Sequence, residues 1–189
     1  TIKKVLLYLF STGVGELFTI VFALFLALPL PLLPTQILWL NLITDSFLVV
    51  AMAMEPKENL KRLKAQGRNR FLIDHLMIYR IILLGLTMTV GTLFLFNNFY
   101  ETDFVKGSTI ALTALAVFQW LNIWNCRSEE KSIFSSNPFS NPYLILSTIA
   151  VIVLQLVAIY HPLAQTLLHT TALSFPEWIL IVVVASSVI

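Results

Sequence analysis

The sequence predicts an all-α polytopic membrane protein, a bundle of six transmembrane helices. Of its 189 residues, 58% are hydrophobic and only 12% are charged, and the mean hydropathy is +0.85. The apolar residues gather in stretches of about 20, the length that an α-helix needs to cross the hydrocarbon core. A soluble domain of this size could not bury so much apolar surface. We therefore expect the lipid bilayer to be the first partner of this chain.

Six apolar stretches define the expected spans. They cover residues of about 5–28, 35–54, 71–99, 109–124, 143–160 and 176–189. Three prolines between positions 29 and 34 separate the first two spans and predict a tight turn between them. The third span is longer than a bilayer requires, which favours a tilted helix or one that extends into solvent. All six belong to one transmembrane domain that occupies residues 1–189.

Lys and Arg indicate the orientation, because short basic loops are retained on the cytoplasmic side of a membrane. In a six-span arrangement Lys106 alone lies on the side opposite to the other loop cations. The cations that share one side are Lys3, Lys4, Lys57, Lys61, Arg62, Lys64, Arg68, Arg70, Arg127 and Lys131. We therefore expect a multi-pass protein with both ends at the cytoplasmic side, in a plasma or inner membrane or in that of an organelle.

Composition also excludes several classes of protein. The formal net charge of +2 is too small to indicate a nucleic-acid partner, and the single cysteine, Cys126, excludes an internal disulfide. The chain opens with TIKKVLLYLF, without an initiator Met, and closes inside the apolar run ILIVVVASSVI. We therefore expect a segment of a longer polypeptide.

Two acidic side chains lie near the middle of apolar spans, Glu16 in the first and Asp45 in the second. A carboxylate at the centre of a membrane helix costs roughly 2.5–3.5 kcal/mol, so it persists where it has a partner or a function. Each acid lies about 11–13 residues from the turn that the two spans share, which places both at a similar depth in an antiparallel pair. This matched depth favours a role in handling cations.

The second span carries further oxygen donors beside its acid. Asn41 and Asp45 are four residues apart and Thr44 adjoins Asp45, so a helix places an amide, a hydroxyl and a carboxylate on roughly one face. No imidazole lies nearby and Cys126 is at a membrane edge, which disfavours soft metals and leaves calcium, manganese, sodium or protons. Taken alone, Asn41 and Thr44 are also consistent with simple hydrogen bonds between helices.

Two segments resemble a known family. LPTQILWLNLITDS, followed by Glu55 and Pro56, resembles the sixth transmembrane helix of P-type cation pumps of the calcium-transporting branch, and STGVGELFTI resembles their fifth helix. The order, spacing and loop charges of the six spans are similar to those of the carboxy-terminal half of that membrane domain. The resemblance covers essentially the whole chain and implies a sixth helix that is unwound near its ion ligands.

The resemblance assigns ligands to positions of this chain. It implies that Asn41, Asp45 and Thr44 are the sixth-helix oxygen ligands, and that Glu16 is the fifth-helix carboxylate. The corresponding eighth-helix position is Gln119, a weaker ligand than the family's Glu.

A second departure concerns position 13. Gly13 stands where pumps that carry two calcium ions have Asn. Together with Gln119 it weakens one of the two family sites, which implies transport of one divalent ion per cycle.

The resemblance also implies a mechanism, alternating access driven by phosphorylation of an Asp in a cytoplasmic domain. No DKTG-type motif occurs in this sequence, so this chain alone is not expected to be an enzyme. The parent protein would be an ATPase that uses magnesium and ATP, and its first four helices and cytoplasmic domains would be the partners of this chain. The basic connection at residues 55–70 would lie beneath the phosphorylation domain.

Several alternatives stay open. The same residues fit a P-type pump for manganese, sodium or protons. A secondary cation transporter would use buried acids in the same way but should show a repeat between its halves, and no second copy of the Glu16 and Asp45 segments occurs. A membrane subunit without transport would leave two acids in mid-membrane unexplained.

Overall fold

A computed structural model describes residues 2–54, 73–127 and 141–189. The basic connection at 55–70 and the polar stretch at 128–140 therefore lie outside the described residues. Helices account for nearly all of the described chain, and no strand occurs within it. The described ranges contain seven helices, in order α1 (Ile2–Phe25), α2 (Pro34–Ala53), α3 (His75–Phe99), α4 (Phe104–Cys126), α5 (Pro142–Tyr160), α6 (Pro162–Leu168) and α7 (Phe175–Ala185).

The first five helices are long and apolar enough to cross a membrane, and α7 with the 3₁₀ turn after it forms a shorter apolar segment, Phe175–Val188. These observations confirm an all-α membrane bundle. The short helix α6 lies between α5 and α7 and had no counterpart among the expected spans.

Capping residues explain where the helices begin. The side chain of Asp74 accepts a hydrogen bond from the backbone N–H of Met77, and Asp103 does the same for Lys106. Such caps satisfy backbone donors that have no partner within the helix. Because Asp103 caps α4, this helix begins five residues before the expected span.

The contacts between helices define two ends of the bundle. We call the end that contains Lys3, Asp74 and Asn141 the amino-terminal end, and the end that contains the turn between α1 and α2 the far end. At the amino-terminal end, the Lys3 ammonium lies 2.7 Å from Asp74, and its hydrogen bond lowers the pKa of that carboxyl. At the far end, Lys106 of α4 lies 2.9 Å from Glu177 of α7.

Helix α4 is the centre of the bundle. Seventeen of its 23 residues are buried, and it packs against α1, α2, α3, α5 and α7. Helices α1 and α3 run side by side in the same direction and approach closely through glycines. A Cβ placed on Gly85 of α3 would lie 2.6 Å from Cγ1 of Val14 on α1, so this contact requires a glycine.

Helix α2 is irregular at its centre. Pro34–Trp39 and Ser46–Ala53 are α-helical, whereas Leu40–Asp45 between them form a π-helix. Single π turns are rare and often occur at functional sites. In place of the unwound segment that the family resemblance implies, the backbone widens here and remains helical.

Candidate functional site

The two acids of the apolar spans both lie inside the bundle. Glu16 on α1 is 5% exposed, and Asp45, the last residue of the π segment, is 4% exposed. Glu16 contacts Asn41, four residues before Asp45, and Asp45 contacts Thr12, four residues before Glu16. The two carboxylates therefore lie in one buried region, about one helical turn apart along the bundle.

Both oxygens of Glu16 accept hydrogen bonds from side-chain amides. Nδ2 of Asn41 lies 2.8 Å from Oε2, and Nε2 of Gln119 lies 2.8 Å from Oε1. Glu16 thus joins three helices, because Asn41 belongs to α2 and Gln119 to α4. Asn41 also donates to the backbone oxygen of Ile37 at 3.0 Å, which fixes the orientation of its amide.

The other end of Gln119 is unsatisfied. Its side chain is fully buried, and its Oε1 has no hydrogen-bond partner among the described residues. Buried acceptors without a partner are uncommon and require an explanation, such as an ion or a water molecule. An amide oxygen without a partner beside a carboxylate is a ready ligand for a hard cation.

Asp45 is held by hydroxyl groups. The phenol of Tyr8 donates to Oδ1 at 2.6 Å, and Oγ1 of Thr12 donates to Oδ2 at 3.2 Å. Tyr8 is completely buried and Thr12 nearly so. Sequence reasoning missed both residues. The available signal was their spacing, because Thr12 precedes Glu16 by four residues and Tyr8 precedes it by eight, so that all three lie near one face of α1.

A polar chain extends from this region toward the amino-terminal end. Asn122 on α4 donates to Oγ of Ser11 at 2.7 Å, and the Cys126 thiol donates to Oδ1 of Asn122 at 3.6 Å. The side chains are buried, and hydrogen bonds within the chain satisfy them. They connect α1 to the central helix on the side of the site nearer the amino-terminal end.

The remaining residues expected in the site lie in or beside the π segment. Thr44 is buried next to Asp45, whereas Asn41 lies on an exposed face of α2. Within the described ranges, no three His, Cys, Asp or Glu side chains are grouped so as to hold a metal. The region therefore offers two carboxylates with amide and hydroxyl oxygens around them.

The geometry defines the class of protein, a polytopic membrane domain with a buried acidic centre shared by three helices. The chain belongs to the family described as "Cation transporting ATPase, C-terminus", whose family model matches residues 29–189. This confirms the family that the two sequence segments indicated.

The relatives that match this chain are longer proteins. It is 36% identical over 185 residues to a calcium-transporting ATPase of Bacillus subtilis, covering 96% of this chain and 21% of that protein. It is 32% identical over 198 residues to the calcium-transporting ATPase type 2C member 2 of Rattus norvegicus, covering 99% and 20%. A probable cation-transporting ATPase F of Mycobacterium bovis is 27% identical over 192 residues, covering 99% and 21%. The chain spans about a fifth of the length of these relatives.

Proposed function

We propose that this chain is the carboxy-terminal membrane part of an ATP-driven calcium pump, in which it supplies ion ligands and part of the ion pathway. The observation that carries the proposal is the buried pair Glu16 and Asp45, surrounded by side-chain amide and hydroxyl oxygens. Two of the relatives are calcium-transporting ATPases by name, which supports calcium as the ion. The same oxygens also suit manganese, so a transport assay has to compare the two ions.

Asn41, Thr44 and Asp45 form the principal part of the proposed site, with Glu16 beside them and Gln119 as a weaker ligand. Calcium takes about 6–8 oxygen ligands, more than these side chains supply. Asn41 is exposed although its amide reaches Glu16, so ligands from the first four helices of the parent pump can approach there. Purified alone, this chain would therefore bind calcium weakly and hydrolyse no ATP.

A stoichiometry of one divalent ion per cycle fits the surroundings of Glu16. Gly13 has no side chain, so no side-chain oxygen comes from that position, and the space where a Cβ would point is open. Gln119 donates an N–H to Glu16, whereas a glutamate at this position would add a second negative charge. Glu16 accepts from two amide N–H groups, whereas Asp45 accepts from two hydroxyls, which keep lone pairs that a cation can share. This difference makes Asp45 the better ligand for a divalent ion.

The orientation completes the proposal. Both ends of the chain would face the cytoplasm, where the parent's other domains bind magnesium and ATP and become phosphorylated. The amino-terminal end of the bundle would then be the cytoplasmic end. Calcium would leave the site toward the far end as the helices of the pump rearrange.

The test is Asp45→Asn in the full-length pump. A neutral amide cannot balance a divalent charge where the dielectric constant is low, so we expect calcium-dependent phosphorylation from ATP to be abolished. Asp74→Asn, the same substitution in a partly exposed ion pair at the amino-terminal end, is the matched control and should leave phosphorylation unchanged. Normal calcium dependence in Asp45→Asn would remove Asp45 from the site, and uptake of calcium and manganese into sealed vesicles would show which ion is transported.

A further inference from the structure

Helix α5 holds α2 through two buried side chains. Nε1 of Trp39 on α2 donates to Oε1 of Gln155 at 3.0 Å, and Nδ2 of Asn141 donates to the backbone oxygen of Ala51 at 3.0 Å. Gln155 is 1% exposed and Asn141 is completely buried. A buried amide in an otherwise apolar membrane helix is costly without such partners.

The two bonds lie on either side of the π segment. Trp39 immediately precedes Leu40–Asp45, and Ala51 lies six residues after it. Asn141 is the N-cap of α5, and Gln155 lies 14 residues further along the chain, a length of about 21 Å at 1.5 Å per helical residue. One continuous helix with its N-cap thus spans the irregular part of α2.

Gln155 is itself anchored to the centre of the bundle. Its Nε2 lies 3.4 Å from Oγ1 of Thr113 on α4, and that hydroxyl donates to the backbone oxygen of Thr109 at 2.7 Å. The orientation of the Gln155 amide is therefore fixed from both sides. A displacement of Trp39 would break its bond to a side chain that cannot easily move with it.

We infer that Gln155 and Asn141 form a clamp that confines any rearrangement of α2 to the stretch between Trp39 and Ala51, and that Gln155 is a positioning residue for the cation ligands. The inference rests on the proposed function, because it assumes that the π segment carries the ligands. Gln155 hydrogen-bonds to Trp39 and Thr113, and it acts through Trp39, whose backbone leads directly into the segment that presents Asn41.

A loosened π segment would have to be ordered each time a cation binds, which weakens affinity. We therefore expect Gln155→Met, which keeps the volume and removes the acceptor, to raise the calcium concentration for half-maximal phosphorylation about fivefold, the scale of one lost hydrogen bond. Trp39→Phe, which removes the donor, should have the same effect. The double variant should shift no further than either single variant, because all three lack the same bond.

Two readouts separate positioning from general damage. Phosphorylation of the full-length pump by inorganic phosphate without calcium does not use the cation site, so it should stay at the level of the unmodified pump in every variant. Thr148→Val is the matched control on α5, since this hydroxyl bonds only to the Leu144 oxygen of its own helix. It should leave calcium affinity unchanged.

Three results would overturn the clamp. Gln155→Met could match the control, the double variant could show the product of the single effects, or phosphorylation by phosphate could fall in parallel with affinity. Failure of the proposed function is separately visible. Normal calcium dependence in Asp45→Asn would refute the site itself. If Asp45→Asn abolishes calcium dependence but Gln155→Met leaves calcium affinity unchanged, only the clamp is refuted.

Discussion

The two carboxylates of the candidate site are held by different kinds of donor. Glu16 accepts from the amides of Asn41 and Gln119, whereas Asp45 accepts from the hydroxyls of Tyr8 and Thr12. A hydroxyl keeps acceptor lone pairs and redirects its hydrogen by rotating one bond, but an amide must turn its NH₂ group away before it offers an oxygen. Asp45 can therefore take up a cation with less rearrangement than Glu16.

The two groups also differ in the helices that they connect. Both donors to Asp45 come from α1, so this group joins only α1 and α2. The donors to Glu16 come from α2 and α4, and the group joins three helices. We therefore expect the two groups to have different roles. The Glu16 group holds the bundle together, and the Asp45 group exchanges its hydrogen-bond partners for an ion.

Neutralising each acid gives the largest expected contrast. Asp45→Asn should abolish calcium-dependent phosphorylation. Glu16→Gln should keep calcium affinity within about threefold of that of the unmodified pump, because the carboxylate of Glu16 interacts with its amide donors more than with the ion. The pump should also bind one calcium per phosphoenzyme, with a Hill slope near one. Binding and phosphoenzyme measured together in vesicles provide the check, and two cooperative ions would contradict the contrast.

Removing the Tyr8 hydroxyl should strengthen calcium binding. In the cation-free state this hydroxyl competes for Asp45, and a hydrogen bond to a charged group contributes about 1.5–3 kcal/mol. Tyr8→Phe should therefore lower the calcium concentration for half-maximal phosphorylation about tenfold. Tyr160→Phe is the control, because this hydroxyl bonds to the Leu173 oxygen at the far end. Weaker binding in Tyr8→Phe would instead identify the phenol oxygen as a ligand.

Thr12→Val should act in the same direction but less strongly. The Thr12 hydroxyl lies 3.2 Å from Asp45, and it is also within hydrogen-bond distance of the backbone oxygens of Tyr8 and Leu9. A shared, longer bond competes less with a cation, so we expect a shift of about twofold in the same assay. Thr19→Val, whose hydroxyl bonds only within α1, should cause none. An effect larger than that of Tyr8→Phe would reverse the proposed order.

The smallest effect is expected far from both acids. Because Lys3 lowers the pKa of Asp74, their ion pair stabilises the folded state above the pKa of about 3.9 in an unfolded chain, and this contribution is lost as the pH falls through the lower folded value. Asp74→Asn keeps the helix cap and loses the charge. In detergent, Asp74→Asn should slightly lower the thermal unfolding temperature at pH 7, and this difference should disappear in acid. In a Lys3→Met background the substitution should not lower the unfolding temperature.

The sequence predicted the membrane bundle and the depth of the acids because both depend on local patterns. Apolar length determines the spans, and counting from the shared turn predicts a similar depth for Glu16 and Asp45, whereas Asp45 contacts Thr12, one helical turn before Glu16. The roles of Gln119 and Gly13 came only from the resemblance to the pump family. No composition or spacing rule indicates that a glutamine on the fourth helix reaches a glutamate on the first.

Two features of the site could not be predicted. Tyr8 pairs with Asp45 across two helices, and such a pairing depends on helix rotations that no periodicity specifies. The π segment LNLITD contains neither Gly nor Pro, so it lacks the residues that usually indicate an irregular backbone. Its geometry depends on how α2 fits between its neighbours.

The π segment gives the candidate site an unusual dependence on chain length. A π turn holds more residues than an α turn, so it accommodates one residue that a regular helix would leave out. Deleting Leu42 or Ile43 would therefore restore a regular helix while the two halves of α2 keep facing their present neighbours. Winding all six residues into a regular α-helix would instead turn the second half of α2 by about 100° relative to the first half, since an α-helix has 3.6 residues per turn. Asn41 and Asp45 could then no longer face the same partners. A change of backbone conformation that replaces no ligand would thereby erase the site.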